Sequence, residues 1–174
     1  MNSGPETAAH LAGSSRLFLV FIVGGQRCAL PIESVREILP MASLSRLPAM
    51  PHSVEGVLNV GGELHAVLRL DRLFGLPENP LALFTPLIVL SRQECPLALL
   101  VEKVERLLNV STNAVLPIRN QSFNECVAAE VAIEGTRISL LSVERLFLAE
   151  ERHRLMSFQA IAQRRLLAKD GVGQ

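Results

Sequence analysis

Residues 60–74 read VGGELHAVLRLDRLF and residues 133–147 read IEGTRISLLSVERLF, and the two stretches align without a gap. Gly62 falls on Gly135, and the acidic residue and the arginine after the apolar run also coincide. Apolar positions coincide at Val67/Leu140, Leu68/Leu141, Leu70/Val143 and Leu73/Leu146. Self-similarity at a fixed offset is typical of repeated structural units. The sequence therefore predicts two copies of one unit.

An earlier pair of segments matches more loosely. QRCALPIESVREIL from Gln26 is similar to QECPLALLVEKVERLL from Gln93, with two residues inserted. Each predicted unit then holds a hairpin, a strand, a second hairpin and a short helical turn. Chance coincidence of apolar positions is the alternative explanation.

Glycine pairs mark the two predicted hairpins of the first unit. Gly24-Gly25 and Gly61-Gly62 each separate two short apolar runs, and glycine supplies the positive φ angles of a tight turn. Asp71 is predicted to cap one helical turn, which Gly75 ends. The strand before that turn carries one apolar face, made of Leu64, Ala66, Leu68 and Leu70.

The predicted fold is mainly β, with two small five-stranded β-barrels packed together, because closure removes exposed strand edges. The pseudo-repeated barrels span about residues 18–76 and 86–148 of a domain at 16–148, after a flexible N-terminal tail at 1–15. Residues 149–174 are predicted to form a C-terminal amphipathic helix and tail. The helix either covers a barrel or groove, or binds a partner or a second copy. Its apolar stripe comprises Leu155, Phe158, Ile161, Ala162 and Leu166.

Composition excludes several classes of partner. The 174 residues carry 17 basic and 17 acidic side chains and no tryptophan or tyrosine, which argues against nucleic-acid binding. The apolar run at residues 17–23 is too short for a membrane span, so we expect a cytoplasmic protein without direct membrane insertion. Cys28, Cys95 and Cys126 lie far apart in apolar surroundings and are predicted to be reduced core residues.

The sequence contains no recognisable catalytic motif. The four histidines show no spacing suited to metal ligands, and no nucleophile elbow is present. GGQRCAL and GGELHAV precede strand patterns, which argues against phosphate loops. We therefore expect no metal, no cofactor and no enzymatic activity, although a small enzyme could hide a polar cluster that only folding assembles. An excess of short strands without catalytic residues is typical of an interaction module.

Four segments in fixed order carry a resemblance to a known family. They are FLVFIVGGQRCALPIESVREIL, LSRLPAMPHSVEGVLNVGG, LRLDRLFGL and LALLVEKVERLLNV, from residues 18, 44, 68 and 97. Over about residues 17–148 the chain resembles the CheW-like coupling proteins of bacterial chemosensory systems.

The resemblance implies a non-catalytic scaffold at cytoplasmic receptor arrays. Its implied partners are the cytoplasmic tip of methyl-accepting chemoreceptors and the regulatory domain of a CheA-type histidine kinase. The implied partner-binding residues are Val35, Glu37, Ile38, Gly56, Val57, Leu58, Asn59, Gly61 and Gly62. For Gly56, Asn59, Gly61 and Gly62 turn geometry is the favoured explanation. The alternative function is a receptor-binding assembly module that does not bind the kinase and self-associates through its C-terminal helix.

The chain departs from the family pattern at three positions. Gly61 stands where the family has arginine, Arg69 where it has aspartate, and Asp71 where it has arginine. The reversed signs at 69 and 71 could preserve an ion pair, which contributes about 0–1 kcal/mol when exposed. The loss of arginine at position 61 has no such compensation. We therefore predict a divergent member that serves a specialised receptor–kinase pathway.

Overall fold

The computed structural model describes residues 14–91, 96–118, 126–146 and 159–168. The strands are β1 (Ser15–Val23), β2 (Gln26–Pro31), β3 (Val35–Leu39), β4 (Val54–Val60), β5 (Glu63–Arg69), β6 (Leu87–Leu90), β7 (Leu97–Leu100), β8 (Lys103–Ser111), β9 (Val115–Leu116), β10 (Val127–Ile133) and β11 (Thr136–Leu141). One α-helical turn, α1, spans Leu70–Leu73, and 3₁₀ turns span Ile32–Ser34, Thr112–Ala114 and Val143–Arg145. Residues 159–168 are helical.

The strands form two sheets that repeat one arrangement. The six-stranded sheet has the order β8-β1-β2-β11-β10-β9, and the five-stranded sheet has the order β3-β6-β7-β5-β4. Two parallel pairings, β11 with β2 and β5 with β7, join strands from opposite halves of the sequence. Each sheet therefore combines the opening hairpin of one repeat with the later strands of the other.

This exchange of strands changes the predicted organisation. The predicted mainly β fold of two packed units is confirmed, with open sheets in place of closed barrels. Residues 18–76 and 86–148 do not each form a sheet of their own, because the parallel pairings exchange strands between them. Nor do the sheets close into barrels, since the end strands of each sheet do not pair with one another within the described ranges.

Among the described residues, three apolar clusters account for the continuous apolar runs of the central strands. The largest lies between the sheets and contains Phe21 and Leu30 from one, and Leu68 and Ile88 from the other. A second cluster covers the opposite face of the six-stranded sheet, and a third the opposite face of the five-stranded sheet. Because both faces are covered, central strands are apolar at nearly every position.

The second hairpin of each repeat confirms the gapless alignment. Gly61 and Gly62 adopt φ of 60° and 90°, and the aligned residues Glu134 and Gly135 adopt 50° and 77°. The aligned helical turns begin at Leu70 and Val143. Asp71, however, lies inside α1 and does not precede it, and its Oδ1 accepts a hydrogen bond from the Arg72 amide at 2.8 Å.

Several other predictions concern the core and the termini. Cys28 and Cys126 are buried and reduced, and burial raises the pKa of the Cys28 thiol to about 12.

Some predictions concern residues outside the described ranges. These are Cys95, residues 1–13 of the predicted tail, and Leu155 and Phe158 of the predicted stripe. Within the described ranges, no helix is both long and apolar enough to span a membrane.

Candidate functional site

The structure brings the predicted partner-binding residues to the two end strands of the five-stranded sheet. Val35, Glu37 and Ile38 lie on β3, at one end of the strand order. Residues 56–59 lie on β4, at the other end, and the Gly61-Gly62 turn follows β4 directly. We call β3, β4 and this turn the edge surface. An edge strand offers backbone groups and alternate side chains to a partner.

The two ends of this sheet approach each other at the turn. Arg36 on β3 lies with its Nη1 3.4 Å from Oε2 of Glu63, the first residue of β5. Arg36, Gly61, Gly62 and Glu63 also line one cavity of about 610 Å³. Residues far apart in the strand order thus share one surface, because the sheet curls without closing.

Three of the predicted residues are buried, and one of them explains a sequence requirement. Gly56, Val57 and Leu58 all face the interior. A Cβ on Gly56 would lie 2.9 Å from Leu44 Cβ and 3.0 Å from the Ser45 carbonyl oxygen. This close approach lets Ser45 pair with Val57 through backbone hydrogen bonds of 2.8 and 2.9 Å. These positions therefore support the edge surface from beneath.

An apolar rim lies where the sheets meet. Ile38 is 45% exposed and pairs with Ile88 of the central cluster. Leu107 pairs with Leu19 of the same cluster, and Leu17 lies on the same strand face two residues from Leu19. The 3₁₀ turn at residues 32–34 contacts β1 and leads directly into β3, so these strands begin side by side. We define the apolar rim as Leu17, Ile38 and Leu107, together with the half-buried Ile32 and Val35.

The reversed charges at positions 69 and 71 form a buried ion pair. Arg69 donates from Nε to Asp71 Oδ1 at 3.0 Å and from Nη2 to Asp71 Oδ2 at 2.6 Å. Only 4% of Arg69 and 6% of Asp71 is exposed. An ion pair therefore forms between positions 69 and 71, as the reversed signs allow. The contribution of about 0–1 kcal/mol expected for an exposed ion pair does not apply here, because both charged groups are buried and have lost their hydration.

The ion pair belongs to a wider charge network that sequence reasoning missed. Glu55 on β4 is buried and lies 3.7 Å from Arg69 Nη1 and 3.0 Å from Arg72 Nη1. Arg46 pairs with the other oxygen of Glu55, and Glu78 lies 3.5 Å from Arg69 and 3.1 Å from Arg72. Three arginines and three carboxylates thus balance. The available signal was the single acid in the apolar strand VEGVLNV.

The network attaches two loops to the sheet. Arg69 Nη2 donates to the Asn79 carbonyl at 3.0 Å, and Asp71 Oδ2 accepts from the Asn79 amide at 3.4 Å. Arg72 Nη1 donates to the His52 carbonyl at 3.3 Å. The connections before β4 and after α1 are therefore fixed beside the edge surface.

The titration of Asp71 predicts acid sensitivity. Burial by itself would raise the pKa of its carboxyl, but hydrogen bonds from Arg69 and the Arg72 amide, with the charge of Arg69, lower the pKa below its usual range. A lowered pKa contributes stability that is complete above the unfolded pKa of about 3.9 and is lost as the pH falls below it.

We therefore expect Asp71→Asn to unfold at lower urea concentration than the wild type at pH 7. The stability difference should shrink as the pH falls below about 4, because the unfolded wild-type carboxyl then binds a proton, and it should vanish once the pH falls below the lowered pKa of the folded carboxyl. Urea titrations at several pH values measure this difference. A difference that stays constant from pH 7 to pH 3 would contradict the assignment.

The described residues offer no arrangement suited to metal chemistry, since no group of three or more His, Cys, Asp or Glu side chains is placed to hold an ion. The buried His65 interacts with its own strand: its Nδ1 lies 3.2 Å from the Glu63 carbonyl oxygen. The site presents strand edges and an apolar rim, with a charge network beneath them. Such a surface is suited to protein binding.

Comparison with known proteins gives consistent matches. The family model described as "CheW-like domain" matches residues 17–151. The chain is 30% identical over 150 residues to a chemotaxis protein CheW of Rhizobium meliloti (strain 1021), covering 84% of this chain and 97% of that protein. It is 23% identical over 131 residues to the Helicobacter pylori chemotaxis protein CheW, covering 74% and 79% of the two chains. The crystal structure of scaffolding protein TtCheW from Thermoanaerobacter tengcongensis matches in fold, with a TM-score of 0.73, 19% identity and coverage of 84% and 96%.

Proposed function

This chain belongs to the CheW-like family, and from that membership we propose that it is a non-catalytic scaffold of bacterial chemosensory signalling. The scaffold couples methyl-accepting chemoreceptors to a CheA-type histidine kinase at cytoplasmic receptor arrays. The observation that carries the proposal is the family match over residues 17–151. The Rhizobium and Helicobacter relatives are named chemotaxis proteins, and the matching solved structure is named a scaffolding protein.

We assign the receptor contact to the apolar rim. A receptor tip is helical, and an amphipathic helix binds through apolar side chains that it lays along an apolar surface. Leu17, Ile38 and Leu107 supply such a surface, since each is more than one third exposed. The half-buried Val35 and Ile32 extend the surface toward the central cluster.

We assign the kinase contact to the part of the edge surface outside the apolar rim, which comprises Glu37, β4 and the Gly61-Gly62 turn. The regulatory domain of the kinase has a similar fold, so strand edges can face strand edges across the interface. Glu37, Asn59 and the Gly61-Gly62 turn are accessible there, whereas Gly56, Val57 and Leu58 act from beneath. Nothing lies within 4 Å of a Cβ built on Gly61, so packing does not account for the absence of the family's arginine. We attribute this difference to a specialised partner, as expected for a divergent member.

The C-terminal helix does not favour the alternative assembly module. Gln159 at the start of its described part bonds to the domain of its own chain, at Leu64 and Pro96. This intrachain contact gives the helix a covering role. We therefore propose one function only.

A charge placed in the apolar rim tests the receptor contact. We expect Ile38→Glu to weaken binding to the receptor's cytoplasmic fragment at least about tenfold, because the carboxylate would have to lose its water at an apolar interface. Isothermal titration calorimetry with the fragment from the same organism measures this.

Leu116→Glu is the matched control, because Leu116 is 50% exposed on β9, at an end of the other sheet. We expect it to change receptor affinity less than twofold. Both substitutions should leave unfolding within about 0.5 kcal/mol of the wild type. Equal loss of binding in the two variants, or none in either, would count against the apolar rim.

A further inference from the structure

The helix at residues 159–168 lies beyond the part of the chain that matches the family. That match ends at residue 151, so the helix lies outside the matched domain. An element that packs on a partner-binding surface can change how that surface is used.

One side chain fastens the helix to the five-stranded sheet. Gln159 Nε2 donates to the Pro96 carbonyl at 2.8 Å and to the Leu64 carbonyl at 3.3 Å. Leu64 belongs to β5 and Pro96 immediately precedes β7, so the carboxamide sits where the parallel β5–β7 ladder starts. The Pro96 carbonyl also accepts from the Ala66 amide at 3.1 Å. Gln159 thus continues the ladder by one more set of hydrogen bonds.

One face of the described helix is half-buried. Gln159, Ala162, Gln163 and Leu166 are half-buried and share one face, since their spacing follows the helical period. The sequence analysis placed Ile161 in the covered stripe, but Ile161 is 45% exposed. Ile161 is exposed because the half-buried face of the helix is centred on Gln159 and Gln163, and Ile161 points away from that face. A half-polar stripe of this kind gives weaker docking than an apolar one.

The helix and the Gly61-Gly62 turn lie on one cavity. Gln163 lines the cavity of about 610 Å³ that is also lined by the turn, Arg36 and His65. A partner element that approaches the turn along this cavity meets the helix there. A partner that enters this cavity would therefore contact the helix.

We propose that helix 159–168 is a built-in competitor that narrows the cavity beside the exposed Gly61-Gly62 turn and must move aside before a partner fills that cavity. The inference rests on the proposed function, because it takes this turn to be part of the kinase contact. The occupant of the surface in the unbound protein is this chain's own helix. Docked and displaced states are in equilibrium, and the partner selects the displaced one.

The contacts set the size of the effect. A surface whose competent state is only partly populated binds with an affinity reduced by that fraction. Loss of two side-chain hydrogen bonds to carbonyl groups shifts such an equilibrium by about tenfold. Gln159→Ala in the full chain should therefore strengthen binding of the kinase regulatory domain by about threefold to tenfold.

Arg164→Ala is the matched control, because it also shortens a long side chain but lies on the exposed face of the same helix. Surface plasmon resonance with the immobilised regulatory domain should show less than a twofold change for it. Receptor binding at the apolar rim should be unchanged in both variants. Ala162→Glu, which places a larger charged group on the covered face, should strengthen kinase binding as Gln159→Ala does.

The outcomes separate this inference from the proposed function. Equal kinase affinity in wild type, Gln159→Ala and Ala162→Glu would overturn the competitor role and leave the scaffold proposal intact. Weaker kinase binding by Gln159→Ala would also overturn it, since the helix would then belong to the interface. Failure of all variants to bind the kinase domain or the receptor fragment would overturn both.

Discussion

Arg69→Ala is expected to lower the free energy of unfolding by about 3–5 kcal/mol, because it leaves buried carboxylates without their cation. Asp71 would lose both hydrogen bonds from the guanidinium, and Glu55 would lose one of its neighbouring charges. The Asn79 carbonyl would lose its donor as well. Urea unfolding followed by circular dichroism measures the loss.

Arg16→Ala is the control for this substitution. Arg16 pairs with Glu33, but the two side chains are 56% and 55% exposed, so removing the arginine should cost less than about 1 kcal/mol. A double-mutant cycle on Arg69 and Asp71 should give a coupling above about 2 kcal/mol. A coupling as small as that of an exposed pair would contradict the network described above.

Restoring the family's order of charges should not rescue the protein. In Arg69→Asp/Asp71→Arg the new aspartate would stand near Glu55 and Glu78, both of which lie within 4 Å of Arg69 in the native protein. Glu55 and Glu78 would lose the cation that now lies beside both and gain a like charge nearby, so we expect the double variant to remain at least about 2 kcal/mol less stable than the wild type. Wild-type stability in this variant would mean that Glu55 and Glu78 do not determine the charge at position 69.

Gly56→Ala is expected to lower the free energy of unfolding by about 2–4 kcal/mol. The added Cβ would lie 2.9 Å from Leu44 Cβ and 3.0 Å from the Ser45 carbonyl oxygen, so the segment at 44–45 would have to move. That movement would also weaken the two backbone hydrogen bonds between Ser45 and Val57. Thermal and urea unfolding both report this loss.

Gly61→Asn provides the comparison. Gly61 has a φ of 60° and open space around a built Cβ, and asparagine tolerates this conformation better than most residues. We expect it to cost less than about 1 kcal/mol. If Gly56→Ala cost no more than Gly61→Asn, the close approach at Leu44 would not be a constraint on the fold.

The local structure could be predicted from the sequence because it depends on neighbouring residues. Gly24-Gly25 and Gly61-Gly62 form the expected turns, all with positive φ. The gapless alignment placed Gly62 on Gly135, and both occupy equivalent turns. These turns can be predicted from the local sequence because glycine adopts positive φ angles more readily than other residues do.

The exchange of strands between repeats could not be predicted in the same way. The parallel pairing of β5 with β7 joins Ala66 to Leu97, and that of β11 with β2 joins Ser139 to Cys28. Alternation of apolar residues indicates which face of a strand is buried, but it does not indicate which strand pairs with it. The same pattern therefore fits two separate barrels and two strand-exchanged sheets equally well.

The burial of Arg69 was missed for a related reason. Alternation places Leu64, Ala66, Leu68 and Leu70 on one apolar face of β5 and Arg69 on the opposite face, but it does not show that the opposite face is also covered. In the folded chain both faces of β5 are covered, and Arg69 meets carboxylates from β4, α1 and the loop after α1. Only the tertiary structure brings those carboxylates together.

The central claim is that one copy of this chain holds a receptor and a kinase at the same time. The most direct test mixes the purified chain with the cytoplasmic fragment of its chemoreceptor and the regulatory domain of its CheA-type kinase, and follows the mixture by analytical ultracentrifugation. We expect one complex that contains all three proteins, from which Ile38→Glu removes only the receptor fragment. A chain that sediments alone, or that binds either partner only in the absence of the other, would contradict the account.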